Sequence, residues 1–348
     1  MLTALALSAL LQTAPAAAGP FDPVARVREA IAAVRPVAYR SAHVDWTTIE
    51  AEMLRHAEGA KDTADMLPAY ETLVAGLGDG HSFLQPPSEV TAAWRERHGE
   101  RRLRPDLPER PRSTSAFSGR NAVEHRDLAV NAANDVRLVV TPSFGGGGPR
   151  GETYADALFL AVADAPARTC GYIIDLRGNG GGNVWPMLAG LSGLLGNGPQ
   201  GLYRDAEGQD ITYGNLVNGE ALVATGAQVG ALMARAPAWR DLPALQQAPV
   251  AVLVDDGTGS SGEGVALALV GRTNTRSFGA RTYGVASANS GYRLSDGVNL
   301  VITVAMMVDP TGKTHPEGYT PDEVVDPAGE TPVEAARTWL GTQPACRG

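Results

Sequence analysis

The sequence predicts a mixed α/β core with parallel crossovers, preceded by a helical N-terminal segment. Three observations predict it. From Val136 onward, short apolar runs alternate with helix-like stretches. Two of those runs, 171–176 (GYIIDL) and 250–254 (VAVLV), are almost continuously apolar, as strands buried on both faces are. Ahead of them, Val24, Val27, Ile31 and Val34 recur at helical spacing. The chain has 348 residues, 44% hydrophobic and 19% charged, so it can bury one large core or a core with a smaller helical unit.

Taken in order, 1–19 is uncharged and mostly Ala and Leu, and Ala16-Ala17-Ala18 fits a small-residue cleavage site. We expect 1–18 to be a cleaved export signal, despite the missing positive leader, and the protein to be periplasmic or secreted. Thr13 and Pro15 interrupt a run already too short to span a bilayer, and no later stretch qualifies. The segment 19–85 reads as a helical subdomain. Pro36 closes its first helix, Asp45 opens a second at Trp46, and 66–77 forms a third that stops at Gly78. The stretch 86–134, rich in Arg, Pro, Glu and Ser, reads as a variable connector with solvated arginines. The α/β core is expected over 135–342. It opens with a strand at 136–141, a helix at 154–165, a strand at 171–176 and a helix at 184–195. The stretch 196–243 reads as an insertion with a helix at 219–234. After the strand 250–254 and its helix come strands at 276–279 and 299–308. Asp309-Pro310-Thr311-Gly312 is a turn, and 332–340 a last helix.

The formal net charge of −9 argues against a nucleic-acid partner. Export would permit a disulfide, and Cys170 and Cys346 are the two cysteines; the sequence leaves their pairing open. Two distant cysteines and no H-E-x-x-H make no zinc site, so neither metal nor cofactor is expected.

The chemistry concentrates at 250–271. An apolar strand runs into the glycine-rich turn 255–262, then into a small-residue helix, so Ser260 and Ser261 sit where the first helical N–H groups have no partner. A serine oxygen there can attack a carbonyl while backbone N–H groups hold the oxyanion. The competing reading is an N-cap serine on an ordinary turn. The loop Gly178-Asn179-Gly180-Gly181-Gly182 ends another buried strand, and its bare backbone lets a carbonyl approach closely. Against it stands a tight turn needing positive φ.

LGDGHS at 77–82, DLRGNGGG at 175–182, TGSSGE at 258–263 and GYTPD at 318–322 occur in this order. Together they resemble the tail-specific, or C-terminal processing, serine peptidases, the family that includes the tricorn core protease. The resemblance implies a ClpP/crotonase-like core behind an N-terminal helical subdomain, and acyl transfer to a serine from a polypeptide substrate. It implies Ser260 as nucleophile and the Ser261 N–H in the oxyanion hole with Gly180 or Gly181. Members of the serine–lysine type carry lysine in a turn resembling TFGKG; here Val285 stands at that place, and Lys61 and Lys313 lie in no comparable motif. The sequence is similar instead to the serine–histidine branch, which makes His81 the general base. Glu317 matches the region of an acidic partner for the imidazole, with Glu263 as competitor; Glu263 otherwise reads as a capping carboxylate. Asp79 is expected to shape its own turn, and Asp175 and Arg177 to make structural bonds. The other histidines are read as structural or exposed. The connector looks too short and irregular for the PDZ domain many members carry. Neither serine fits the G-x-S-x-G elbow of α/β-hydrolases. The alternative is a binding protein on the same scaffold, carrying lipid or peptide with little peptidase activity.

Overall fold

Three helices open the part of the chain described by the computed structural model, residues 21–225 and 228–347. The expected export signal lies outside those residues. The helices are α1 (Pro23–Val34), α2 (Trp46–Ala57) and α3 (Thr63–Gly76), and Asp22, Asp45 and Asp62 cap them by accepting first-turn N–H groups. Next come β1 (Phe83–Gln85) and α4 (Ser88–His98). The expected connector therefore holds a helix, and it also holds a strand. β2 (Glu124–Ala129) pairs antiparallel with β3 (Asp135–Val140), yet it is exposed at nearly every position and so lacks an apolar signal.

The core continues with α5 (Gly148–Ala163), β4 (Thr169–Asp175), α6 (Val184–Gly190) and α7 (Ser192–Leu195). In 196–243 the structure corrects the expected helix at 219–234. It holds β5 (Gly198–Pro199), β6 (Leu202–Asp205), β7 (Asp210–Val217), β8 (Glu220–Thr225) and β9 (Gln228–Arg235), and α8 (Pro243–Gln247) begins at its last residue. Alanines favour a helix locally. Pairing overrides them: Asn218 and Gly219 take φ of 50° and 81° and join β7 to β8 as a two-residue hairpin turn. The chain then forms β10 (Val250–Val254), α9 (Ser261–Ala268), β11 (Thr275–Gly279), β12 (Ser287–Arg293), β13 (Asn299–Val308), β14 (Glu323–Val324) and α10 (Thr331–Gly341).

Two sheets result. One has the order β14-β11-β10-β4-β3-β2, parallel except for β2. Its central strand buries both faces. Val250, Val252 and Val254 enter a core with Leu158, Phe159, Ile174 and Leu267, while Ala251 and Leu253 pack with Phe278, Val333 and Leu340. That is why the run is continuously apolar. The other sheet is antiparallel, β1-β13-β6-β7-β8-β9, with β12 also on β13. The helical segment shares its core with this sheet: Met53, Met66, Tyr70 and Leu73 pack against Leu294, Val298, Leu300 and Ile302. A disulfide joins Cys170 to Cys346, with Cα atoms 5.1 Å apart. Among the described residues, no helix is long and apolar enough to cross a membrane.

Candidate active site

Ser260 sits one residue before α9 in a conformation that L residues rarely adopt, φ 52° and ψ −119°. The turn thus has the strained strand-to-helix character of a nucleophile elbow without the sequence pattern that usually signals one. The buried Thr258 holds the turn: its hydroxyl donates to Leu176 O at 2.9 Å and accepts the Asp255 N–H at 3.1 Å.

The glycine loop lies directly against this elbow because β4 and β10 are parallel neighbours whose carboxyl ends coincide. Gly178 N–H donates to Asp255 Oδ1 at 2.9 Å, Gly259 N–H to Asn179 O at 2.9 Å, and the Ser261 hydroxyl to Gly182 O at 2.8 Å. Gly181 packs directly on Ser260. With φ 106°, a Cβ on it would stand 2.7 Å from Ser260 Cβ and 2.9 Å from Ser261 N, so nothing larger fits. Within the loop, Gly180 N–H donates to Gly178 O at 3.1 Å and Gly181 N–H to Asn179 Oδ1 at 3.0 Å.

Glu263, fully buried in the first turn of α9, ties the elbow to the turn 282–287. Its carboxylate accepts from Ser260 N–H (3.0 Å), the Thr282 hydroxyl (2.6 Å), Gly284 N–H (3.0 Å) and Val285 N–H (2.9 Å). Burial pushes its carboxyl above the usual range, against these four donors. GYTPD braces the same turn from outside through Tyr319 N–H, which donates to the Thr282 hydroxyl at 2.7 Å, and it holds the preceding strand β11, where the Asp322 carboxylate accepts Ser277 N–H at 2.8 Å.

His81 approaches the far side of that turn. Asp79 shapes its own turn, accepting the N–H groups of His81 and Ser82 and the Ser82 hydroxyl at 2.6–2.9 Å. The imidazole Nδ1 lies 2.7 Å from the Ser287 hydroxyl, and Asn289 Nδ2 donates to the His81 carbonyl. Burial pushes the imidazole down to about 4, outweighing the pull of Asp79, so it is neutral at pH 7. The path from His81 to Ser260 runs through one turn: His81 to Ser287, Ser287 N–H to Val285 O at 2.7 Å, and Val285 and Ser260 to Glu263. Among the described residues, no hydrogen bond joins His81 to Ser260.

Neither acid expected beside His81 is bonded to it. Glu263 is occupied as described. Glu317 is exposed, although its backbone packs on Gly284. Ser287 is the residue that sequence reasoning missed; its signal was its place two residues beyond Val285, in the turn that replaces the lysine motif. Asp175 and Arg177 are structural, with Arg177 Nε and Nη2 on the two carboxylate oxygens at 2.9 and 2.8 Å. Burial alone would raise Asp175, but Arg177 and Arg120 hold its carboxyl below the usual range. His315, read as structural or exposed, pairs with buried Asp309 at 2.8 Å.

The chain matches peptidase family S41 over residues 138–325. It is 26% identical over 300 residues to the nisin-resistance protein of Lactococcus lactis subsp. lactis, a match covering 86% of this chain and 81% of that one. Its fold is similar to that of a lipoprotein from Streptococcus agalactiae (TM-score 0.68, 20% identity, 94% and 99% of the two chains). It is also similar to that of the photosystem II D1 C-terminal processing protease (TM-score 0.58, 18% identity, 94% and 99%). A parallel sheet, a glycine loop against its strained serine elbow, and a family match over more than half of the sequence lead to one conclusion: this chain belongs to peptidase family S41.

Proposed function

We propose that the protein is an exported serine endopeptidase in which Ser260 is the nucleophile and His81 the general base. The observation that carries the reading is the strained Ser260 elbow with Gly181 pressed against it at the start of α9. With Nδ1–H donating to the Ser287 hydroxyl, the lone pair of His81 Nε2 is free to take the Ser260 proton as Oγ attacks the substrate carbonyl. The proton passes to the leaving amine as the C–N bond breaks. Water, deprotonated by the same nitrogen, then hydrolyses the acyl-enzyme. Ser287 fills the orienting role that Glu317 or Glu263 was expected to fill. Ser261 N–H is one oxyanion donor. Gly180 or Gly181 supplies the second by exchanging its bond within the loop for one to the substrate. Apo sites often tighten only around substrate, so the transfer from Ser260 to His81 belongs to the substrate complex. Export fits both the apolar leader 1–18 and a disulfide, which persists in oxidising compartments.

Ser260→Ala should lower hydrolysis of an unfolded polypeptide by at least roughly 1,000-fold and abolish labelling by a serine-reactive phosphonate, with circular dichroism unchanged. Full activity in that variant would overturn the assignment. Absent hydrolysis in the native chain, together with tight retention of a fluorescent lipid, would favour the carrier reading.

A further inference from the structure

Beside the turn that separates Ser260 from His81 lies a cavity of about 330 Å³. Gly80, the residue before His81, forms one wall. Tyr283, Gly284 and Val285 form another, and Tyr283 and Val285 are the side chains nearest Gly259, the residue before Ser260. One wall thus adjoins His81 along the chain, and the other packs on the residue before Ser260. Arg110, Arg112 and Arg281 line it, together with a single carboxylate, Asp256.

The charges there do not cancel. Asp256 is already engaged by Thr114, whose N–H and hydroxyl each donate at 2.6 Å, and by the Ser113 hydroxyl at 3.3 Å. Arg110 donates to the carbonyls of Gly80 and Ser82, neutral acceptors that leave its charge intact. Arg112 and Arg281 are exposed, and among the described residues neither forms an ion pair. Elsewhere arginines are commonly matched, as Arg97 is with Asp62 and Asp65 and Arg137 with Asp127. A concave site with three guanidinium groups and one occupied carboxylate, in a chain of net charge −9, concentrates positive potential at one place.

We propose that this cavity is a specificity subsite for an acidic side chain, so that the enzyme prefers substrates with Asp or Glu near the scissile bond. The proposal rests on the peptidase reading centred on Ser260. A substrate lying with its carbonyl at Ser260 passes along Tyr283 to Val285, and a neighbouring side chain enters between the arginines. The planar guanidinium fork matches a carboxylate through two parallel hydrogen bonds, a geometry that a glutamine amide cannot reproduce.

The test uses the full chain and quenched fluorescent peptides that differ only by Glu or Gln at each position around the cleavage point. The native enzyme should cleave the best Glu peptide at least roughly tenfold faster in kcat/KM than its Gln twin, mainly through KM, and the ratio should shrink with salt. In Arg112→Gln plus Arg281→Gln the ratio should approach one, and Arg281→Glu should turn the preference towards a Lys peptide. Equal rates on the Glu and Gln peptides, or a preference that survives the double substitution, would overturn the subsite. So would sensitivity to amidation of the peptide C-terminus in place of sensitivity to Glu. Binding to Ser260→Ala by fluorescence anisotropy separates this proposal from the one beneath it. Binding that depends on Glu and on the arginines, without cleavage by the native chain, supports the subsite and sinks the peptidase. Cleavage with indifferent binding does the reverse.

Discussion

Ser260 pays for its position with backbone strain of about 1–3 kcal/mol at φ 52°, a cost that an ordinary N-cap serine in extended conformation does not carry. The residue pressed against it is equally constrained. Gly181→Ala would place a Cβ 2.7 Å from Ser260 Cβ at a φ that alanine disfavours. We expect a loss of activity well beyond any loss of stability, measured as kcat against thermal midpoint; an active Gly181→Ala enzyme would mean that the loop does not face the substrate. His81 gives a prediction in pH. Its folded pKa is depressed to about 4 while an unfolded histidine titrates near 6.5, so the unfolded chain binds the extra proton between those values. Its contribution to stability is therefore complete above pH 6.5 and is lost as pH falls towards 4, by about 3 kcal/mol in all. The same neutrality places the acid limb of kcat/KM well below 6.5. Ser287→Ala should move that limb and lower kcat by about 10- to 100-fold, since the imidazole loses its orienting partner. An unmoved limb would remove Ser287 from the mechanism.

At the scale of elements, the turn 282–287 is the part that assembles the site. Glu263 anchors it from α9, Tyr319 braces it from the GYTPD segment, and Ser287 hands it to His81. Glu263→Ala would leave four donors unmatched in a buried place; at about 1–3 kcal/mol for each such group, we expect a large fall in thermal midpoint, with Glu263→Gln milder. Near-native stability in Glu263→Ala would show that the turn is held by something else. The β-meander of β7, β8 and β9 shows how an element can mislead. Its alanines favour a helix, while Asn218-Gly219 is a two-residue hairpin signal, and the hairpin is what forms.

For the whole molecule, three buried clusters divide the work. Two cover the faces of the parallel sheet, and the third joins α1 to α3 with the hairpin of β12 and β13. The first helices are therefore packed on the same hairpin that carries Ser287, so the segment leading to His81 and the strand bearing Ser287 share one core. The disulfide closes the molecule from the other end, linking β4 to the tail across 176 residues. Replacing both cysteines by serine should cost about 2–5 kcal/mol by denaturant unfolding. Titration of two free thiols in the denatured, unreduced native chain would contradict the bond itself.

By itself the sequence determined the buried strands at 171–176 and 250–254, the glycine loop, the candidate serine and the histidine turn, because each is written in local residue pattern: apolar runs, bare backbone, helix starts. The resemblance to the processing peptidases added that Val285 stands where the serine–lysine type carries its lysine. Only the tertiary structure decided what surrounds them. Glu263 became a tie rather than an orienting acid, Ser287 came to face His81, and Arg110, Arg112 and Arg281 gathered around one cavity. The physical reason is that hydrogen-bond partners and charge neighbours far apart in sequence are set by strand pairing and turn geometry, and single-chain periodicity carries no record of which distant groups those will bring within 3 Å.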